Sequence, residues 1–68
     1  MEANYIIILD SWAGEIIKIK LTEKEKHESE KYEDYNDFLK TLEDKYDFCI
    51  ENCTWTTMEN LSEKQFNF

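Results

Sequence analysis

The only glycine in the chain, Gly14, lies between two segments rich in β-branched residues. Residues 5–9 are apolar at every position, which is typical of a central strand or of one buried on both faces. Residues 15–21 mostly alternate between apolar and polar side chains, as a half-buried strand does. Asp10 favours the start of a turn, and glycine supplies the positive φ at its end. The pattern predicts a β-hairpin over residues 4–21.

A wholly polar segment follows the hairpin, since residues 22–31 contain no apolar side chain. With no apolar surface to bury, such a segment is a solvated linker or a frayed lead-in to a helix. Thr22 followed by Glu25 is one candidate helix start, and Ser29 is another. The pattern does not choose between them, and we expect a polar linker over residues 22–30.

A helical stripe follows the linker, with apolar residues recurring at three- and four-residue intervals. At about 100° per residue these side chains share one narrow sector of a helix. The stripe consists of Tyr35, Phe38, Leu39, Leu42 and Tyr46. It predicts a helix over about residues 31–46. Asp34 and Asp37 near its start, and Lys45 near its end, suit the helix dipole.

The pattern returns to strand-like residues near the end of the sequence. Residues 53–58 are rich in threonine and aromatic side chains and predict a third strand. Within it we expect Trp55 to face the core while Thr54 and Thr56 face water. The tail over residues 59–68 is open to two interpretations, because its apolar side chains could dock on the domain or pair with a second copy.

These elements predict one small α+β domain over residues 1–68, with the order β-β-α-β. One helix would pack on a three-stranded antiparallel sheet and cover the aliphatic face of the hairpin. A chain of this length has no room for a second core. It has no run approaching the roughly 20 apolar residues of a membrane span. It also shows no basic, apolar leader, so we expect a cytoplasmic protein.

Three side chains are of types that often take part in catalysis or metal binding, but we expect none of them to do so here. If Cys49 and Cys53 lie on an extended segment, their Cα atoms are about 13 Å apart, which is too far for a disulfide. A zinc site would need two further ligands. His27 lies in the most polar part of the chain, where we expect a solvated side chain. We therefore expect no catalytic residue, no metal and no cofactor, and a non-enzymatic protein.

The charge of the chain is strongly negative and unevenly distributed. Sixteen acidic residues oppose eight lysines and no arginine, a formal net charge of −8. Such a chain is poorly suited to bind phosphates, so we expect no direct binding of nucleic acid. Residues 23–47 hold ten acids and five lysines, or −5 of the total. Carboxylates at helical spacing present a phosphate-like field to a basic cleft, although a merely solvated face is the alternative.

A second candidate contact lies at the tip of the predicted hairpin. Trp12 either folds back onto the core or anchors a partner, because tryptophans are enriched among interface hot spots. The partner-binding candidates are thus the tip aromatic and the acidic residues of the helical region. They are Trp12, Glu33, Asp34, Asp37 and Asp44.

These observations favour a non-enzymatic, acidic protein-binding module that engages a basic protein surface. Its narrower form is a DNA-mimicking inhibitor of a nucleic-acid-handling protein, encoded by a phage, a mobile element or an AT-rich bacterium. The alternative is a small homodimer in which strand edges and tails pair. In that case the acidity serves solubility alone.

Overall fold

The computed structural model describes residues 3–68 and contains the expected hairpin. Strand β1 spans Tyr5–Asp10 and strand β2 spans Glu15–Lys20. They pair antiparallel, with Ile8 opposite Ile17. Gly14 adopts a φ of 65°, the left-handed conformation that a glycine tolerates without steric cost.

The third strand, β3, spans Thr54–Met58 and completes an antiparallel sheet of order β2-β1-β3. Because β1 pairs on both sides, it is the central strand, and its alternate residues Ile6 and Ile8 are fully buried on one face. Trp55 lies half-buried against the core, and its ring stacks on that of Tyr35 with 5.6 Å between centroids. Thr54 and Thr56 are exposed.

The core forms between one face of this sheet, the inner face, and the helical layer. Its buried members come from β1 and β2, from the residue that follows β2, from the long helix and from the turn after that helix. They are Ile6, Ile8, Ile19, Leu21, Phe38, Leu39, Leu42 and Ile50. The α+β class and the three-stranded antiparallel sheet are therefore confirmed.

The prediction of a polar linker over residues 22–30 is wrong, because this segment contains a helix. Helix α1 spans Glu23–Ser29 and begins with a capping box. The Thr22 hydroxyl accepts a hydrogen bond from the Glu25 backbone N–H at 3.1 Å, and the Glu25 carboxylate accepts one from the Thr22 N–H at 2.9 Å. Reciprocal capping satisfies two backbone donors that a helix start leaves unpaired. The order is consequently β-β-α-α-β.

The predicted long helix begins later than residue 31. Helix α2 spans Tyr35–Tyr46, and Asp34 precedes it in an extended conformation. The Asp34 carboxylate accepts a hydrogen bond from the Asn36 N–H at 2.9 Å, which fixes the start there. Asp47, whose backbone is left-handed, follows Tyr46 as the C-cap of the helix.

The connection from α2 to β3 includes a single 3₁₀ turn over Ile50–Asn52. Its first residue is buried, and the Ile50 N–H donates a hydrogen bond to the Glu43 carboxylate at 2.9 Å. Beyond β3, the tail over residues 59–68 forms neither helix nor strand. Lys18 of β2 forms an ion pair with Glu63 of this tail.

Candidate functional site

The hairpin tip holds Trp12 away from the rest of the protein. One oxygen of the Asp10 carboxylate accepts hydrogen bonds from the Trp12 and Ala13 N–H groups, both at 3.1 Å. An aspartate that bonds backbone groups two and three residues ahead stabilises a tight turn. The Trp12 side chain is 89% exposed. Of the two sequence interpretations, folding back onto the core does not occur.

Acidic side chains lie next to this turn. Cys53, the residue that leads into β3, has a thiol pKa raised first by burial. The negative charges of Asp10 and Glu15 raise it further, so both carboxylates lie near that strand end. Glu15 is exposed. The tip therefore presents an aromatic side chain beside negative charge.

The acidic residues proposed from the sequence do not form one continuous row. Glu33 and Asp34 precede helix α2, and the Asp34 carboxylate already serves as its N-cap. Asp37 and Asp44 are exposed on the helix, two turns apart and thus separated by about 10 Å. Lys40, which is exposed, falls between them on that face.

The structure does not join these acids to the aromatic tip. Within residues 3–68, Trp12 makes no hydrogen bond or ring contact with Glu33, Asp34, Asp37 or Asp44. Part of the charge on α1 is also compensated by lysines one helical turn away. Glu23 pairs with Lys26 at 3.3 Å, and Glu28 pairs with Lys31 at 3.2 Å.

A buried carboxylate that the sequence analysis missed links the two helices. Glu25 is only 6% exposed. Besides capping α1, its carboxylate accepts hydrogen bonds from the Tyr46 hydroxyl at 2.6 Å and from the Lys45 ammonium at 3.1 Å. Burial by itself raises the pKa of Glu25, but these three donors outweigh it and lower the pKa to about 2. The capping-box spacing of Thr22 and Glu25 was the available signal.

The Glu25 cluster stabilises the fold and carries no reactive group. Its carboxylate is fully ionised at neutral pH, and hydrogen bonding to it raises the pKa of both Lys45 and Tyr46. A general acid or base would need a pKa near the working pH. We therefore assign the cluster to helix packing.

The histidine and the two cysteines are not arranged as a catalytic or metal-binding site among the described residues. His27 lies on α1 with its side chain 76% exposed, 3.8 Å from Glu30. Cys49 and Cys53 are free thiols on either side of the 3₁₀ turn, and burial raises the pKa of the Cys53 thiol. In the described part of the chain, no three His, Cys, Asp or Glu side chains cluster as metal ligands would. None of the helices there has the length and apolar character to cross a bilayer.

Comparison with known protein families, with curated proteins and with solved structures gives no match.

Proposed function

We propose that this chain is a non-enzymatic, acidic protein-binding module whose partner presents a basic surface. The observation that carries the proposal is the position of Trp12, which is 89% exposed on a turn held by two hydrogen bonds. A large aromatic side chain that contributes nothing to the core is typical of a binding anchor.

The rigidity of the turn favours this role. Because Asp10 fixes the backbone at Trp12 and Ala13, little conformational entropy of the turn is lost on binding. Tryptophan also has few rotatable bonds for its contact area. Burial of this large side chain against a partner therefore favours binding, with little loss of conformational entropy.

The charge next to Trp12 favours a basic partner. Glu15 is exposed at the same end of the hairpin, and the chain carries −8 overall. An arginine or lysine of the partner could contact the face of the indole ring and a nearby carboxylate together. The negative field would also accelerate the encounter with a positively charged protein.

The DNA-mimicking inhibitor is the narrower form of this proposal. It requires Glu33, Asp37 and Asp44 to occupy a nucleic-acid site, and these side chains are exposed. The intervening Lys40 interrupts their negative face, so the broader form has the stronger support. In the narrower form, duplex DNA competes with this protein for the partner. We further propose that the protein acts in the cytoplasm and is encoded by a phage, a mobile element or an AT-rich bacterium.

The experiment compares capture of proteins from a lysate of the encoding host by the native chain and by Trp12→Ala. For a partner bound through the hairpin tip, we expect at least tenfold weaker binding by Trp12→Ala and release as salt rises. Tyr32→Ala removes a partly exposed aromatic from another part of the surface and serves as the control, with circular dichroism to show that it folds, because the Tyr32 ring contacts Phe38. Partners that bind both variants alike, or that resist salt, contradict the proposal.

A further inference from the structure

The face of the sheet that points away from the helices, the outer face, is unusually apolar. Antiparallel sheets with one solvated face normally carry polar side chains there. Here Leu9 and Ile16 lie opposite each other and are 46% and 65% exposed. Ile7 of the same strand and Met58 of β3 share this face. Exposed, contiguous apolar patches of this kind mark interaction sites.

The tail turns this face into a groove. Leu61, Gln65 and Phe68 lie along one side of it, and the strands form the other. The groove has a volume of about 560 Å³. The ion pair between Lys18 and Glu63 holds the tail beside the sheet. Its size and apolar strand wall suit the insertion of aromatic side chains.

The same tail carries two aromatic side chains that the chain itself leaves uncovered. Phe66 is 74% exposed, and Phe68 is 102% exposed at the mouth of the groove. Leaving two phenylalanines in water loses the stabilisation that burial of each would give. The chain thus supplies both an apolar groove and apolar side chains able to fill one.

The outer face is also the place where a second copy meets the least repulsion. Its strands carry the positive charges of Lys18 and Lys20 and no carboxylate. The tail holds Lys64 against Glu59 and Glu63, and Glu63 is paired with Lys18. Each chain has a net charge of −8, so two chains that approach through their helices would bring acidic surfaces together and repel each other.

We propose that two copies of this chain associate through their outer faces, each inserting Phe66 and Phe68 into the groove of the other. The arrangement is reciprocal, so it closes as a two-fold dimer. Four phenylalanines each bury about 150–250 Å², and the groove walls that they cover add a similar area. The total reaches the roughly 1,200–2,000 Å² of a stable interface.

This inference is independent of the proposed function, and salt distinguishes the two. Binding of a basic partner at Trp12 depends on attraction and weakens as salt rises. The dimer brings together two chains of like charge through apolar contacts. Screening reduces their mutual repulsion, so the dimer strengthens as salt rises.

The test is sedimentation equilibrium of the native chain between about 5 and 200 μM at low and high salt, a range suited to moderate affinity. We expect a monomer–dimer equilibrium whose Kd decreases with salt. Phe66→Ser with Phe68→Ser, and separately Leu9→Thr with Ile16→Thr, should each raise the Kd at least tenfold. These side chains are exposed, so circular dichroism should show both variants folded.

Trp12→Ser is the matched control, because Trp12 is exposed and apolar but does not line the groove. We expect its Kd to stay within twofold of the native value. A strict monomer at 200 μM in high salt overturns the proposal. So does a dimer whose Kd neither the tail variant nor the groove variant changes.

Mixing the two double variants tests the reciprocity directly. A mixed pair keeps one contact, in which the phenylalanines of the Leu9→Thr, Ile16→Thr chain enter the groove of the other variant, whose strand wall is unaltered. We expect the mixture to dimerise more strongly than either variant alone. A mixture no stronger than its components overturns the reciprocal arrangement.

Discussion

The Tyr46 hydroxyl donates a hydrogen bond of 2.6 Å to the buried carboxylate of Glu25 and thereby joins the end of α2 to the start of α1. The same carboxylate caps α1 through Thr22. A seven-residue helix without an apolar stripe is marginal alone. The bond therefore gives α1 a fixed place on the domain.

The stability of the fold should decrease in acid because of Glu25. Its pKa is about 2 in the folded chain, compared with an ordinary value of 4.5. The unfolded chain therefore takes up the proton first, and stabilisation that is complete above pH 5 is lost as the pH falls towards 2. We expect a loss of about 2–3 kcal/mol from this group. Urea unfolding across this range measures it, and Glu25→Gln should flatten the dependence.

Tyr46→Phe should lower the free energy of unfolding by about 1.5–3 kcal/mol, because it removes a hydrogen bond to a charged group. The ring and its packing remain. Tyr32→Phe is the control, since the Tyr32 hydroxyl makes no hydrogen bond among the described residues. Chemical denaturation compares the two variants, and equal stability would show that the Glu25–Tyr46 bond contributes nothing.

Gly14→Ala should lower the free energy of unfolding by about 1 kcal/mol, since its φ of 65° is unfavourable for a side chain. A Cβ there meets no atom within 4 Å, so the effect comes from the backbone and not from a clash. Gly14→Asn should cost less, because asparagine tolerates the left-handed region. Thermal denaturation ranks the two, and a reversed order would contradict this explanation.

Trp12→Ala should change the free energy of unfolding by less than about 0.5 kcal/mol, because the side chain is exposed and packs on nothing. Trp55→Ala should cost several times more, since its ring stacks on Tyr35. Denaturation followed by circular dichroism makes the comparison. A large loss in Trp12→Ala would assign that residue to folding and not to binding.

Periodic apolar patterns were sufficient to predict the hairpin, the third strand and the body of α2. Helix α1 could not be predicted in this way, because its place depends on one carboxylate bonded to Tyr46, far along the chain. Helix α2 begins later than predicted because Asp34 is its N-cap, and the sequence offers several acidic residues with an equal local preference for that position.

The candidate site was predictable only in part. The sequence places Trp12 at a hairpin tip, but its exposure follows from which backbone groups Asp10 binds. The apolar outer face had a visible signal in Ile16, which breaks the alternation of β2. The sequence alone does not show that this face forms a groove, because the groove depends on Leu9 lying opposite Ile16 and on the tail lying beside both.

The central position of β1 has a consequence for synthesis on the ribosome. Tyr5–Asp10 emerges early, but one side of it pairs with Thr54–Met58, near the other end of the sequence. Pairings this distant in sequence form slowly, after the loop between them has closed. The hairpin can fold while translation continues, but one edge of its first strand stays open until residue 58 has been added. Cooperative folding of this domain therefore waits until β3 has left the ribosome.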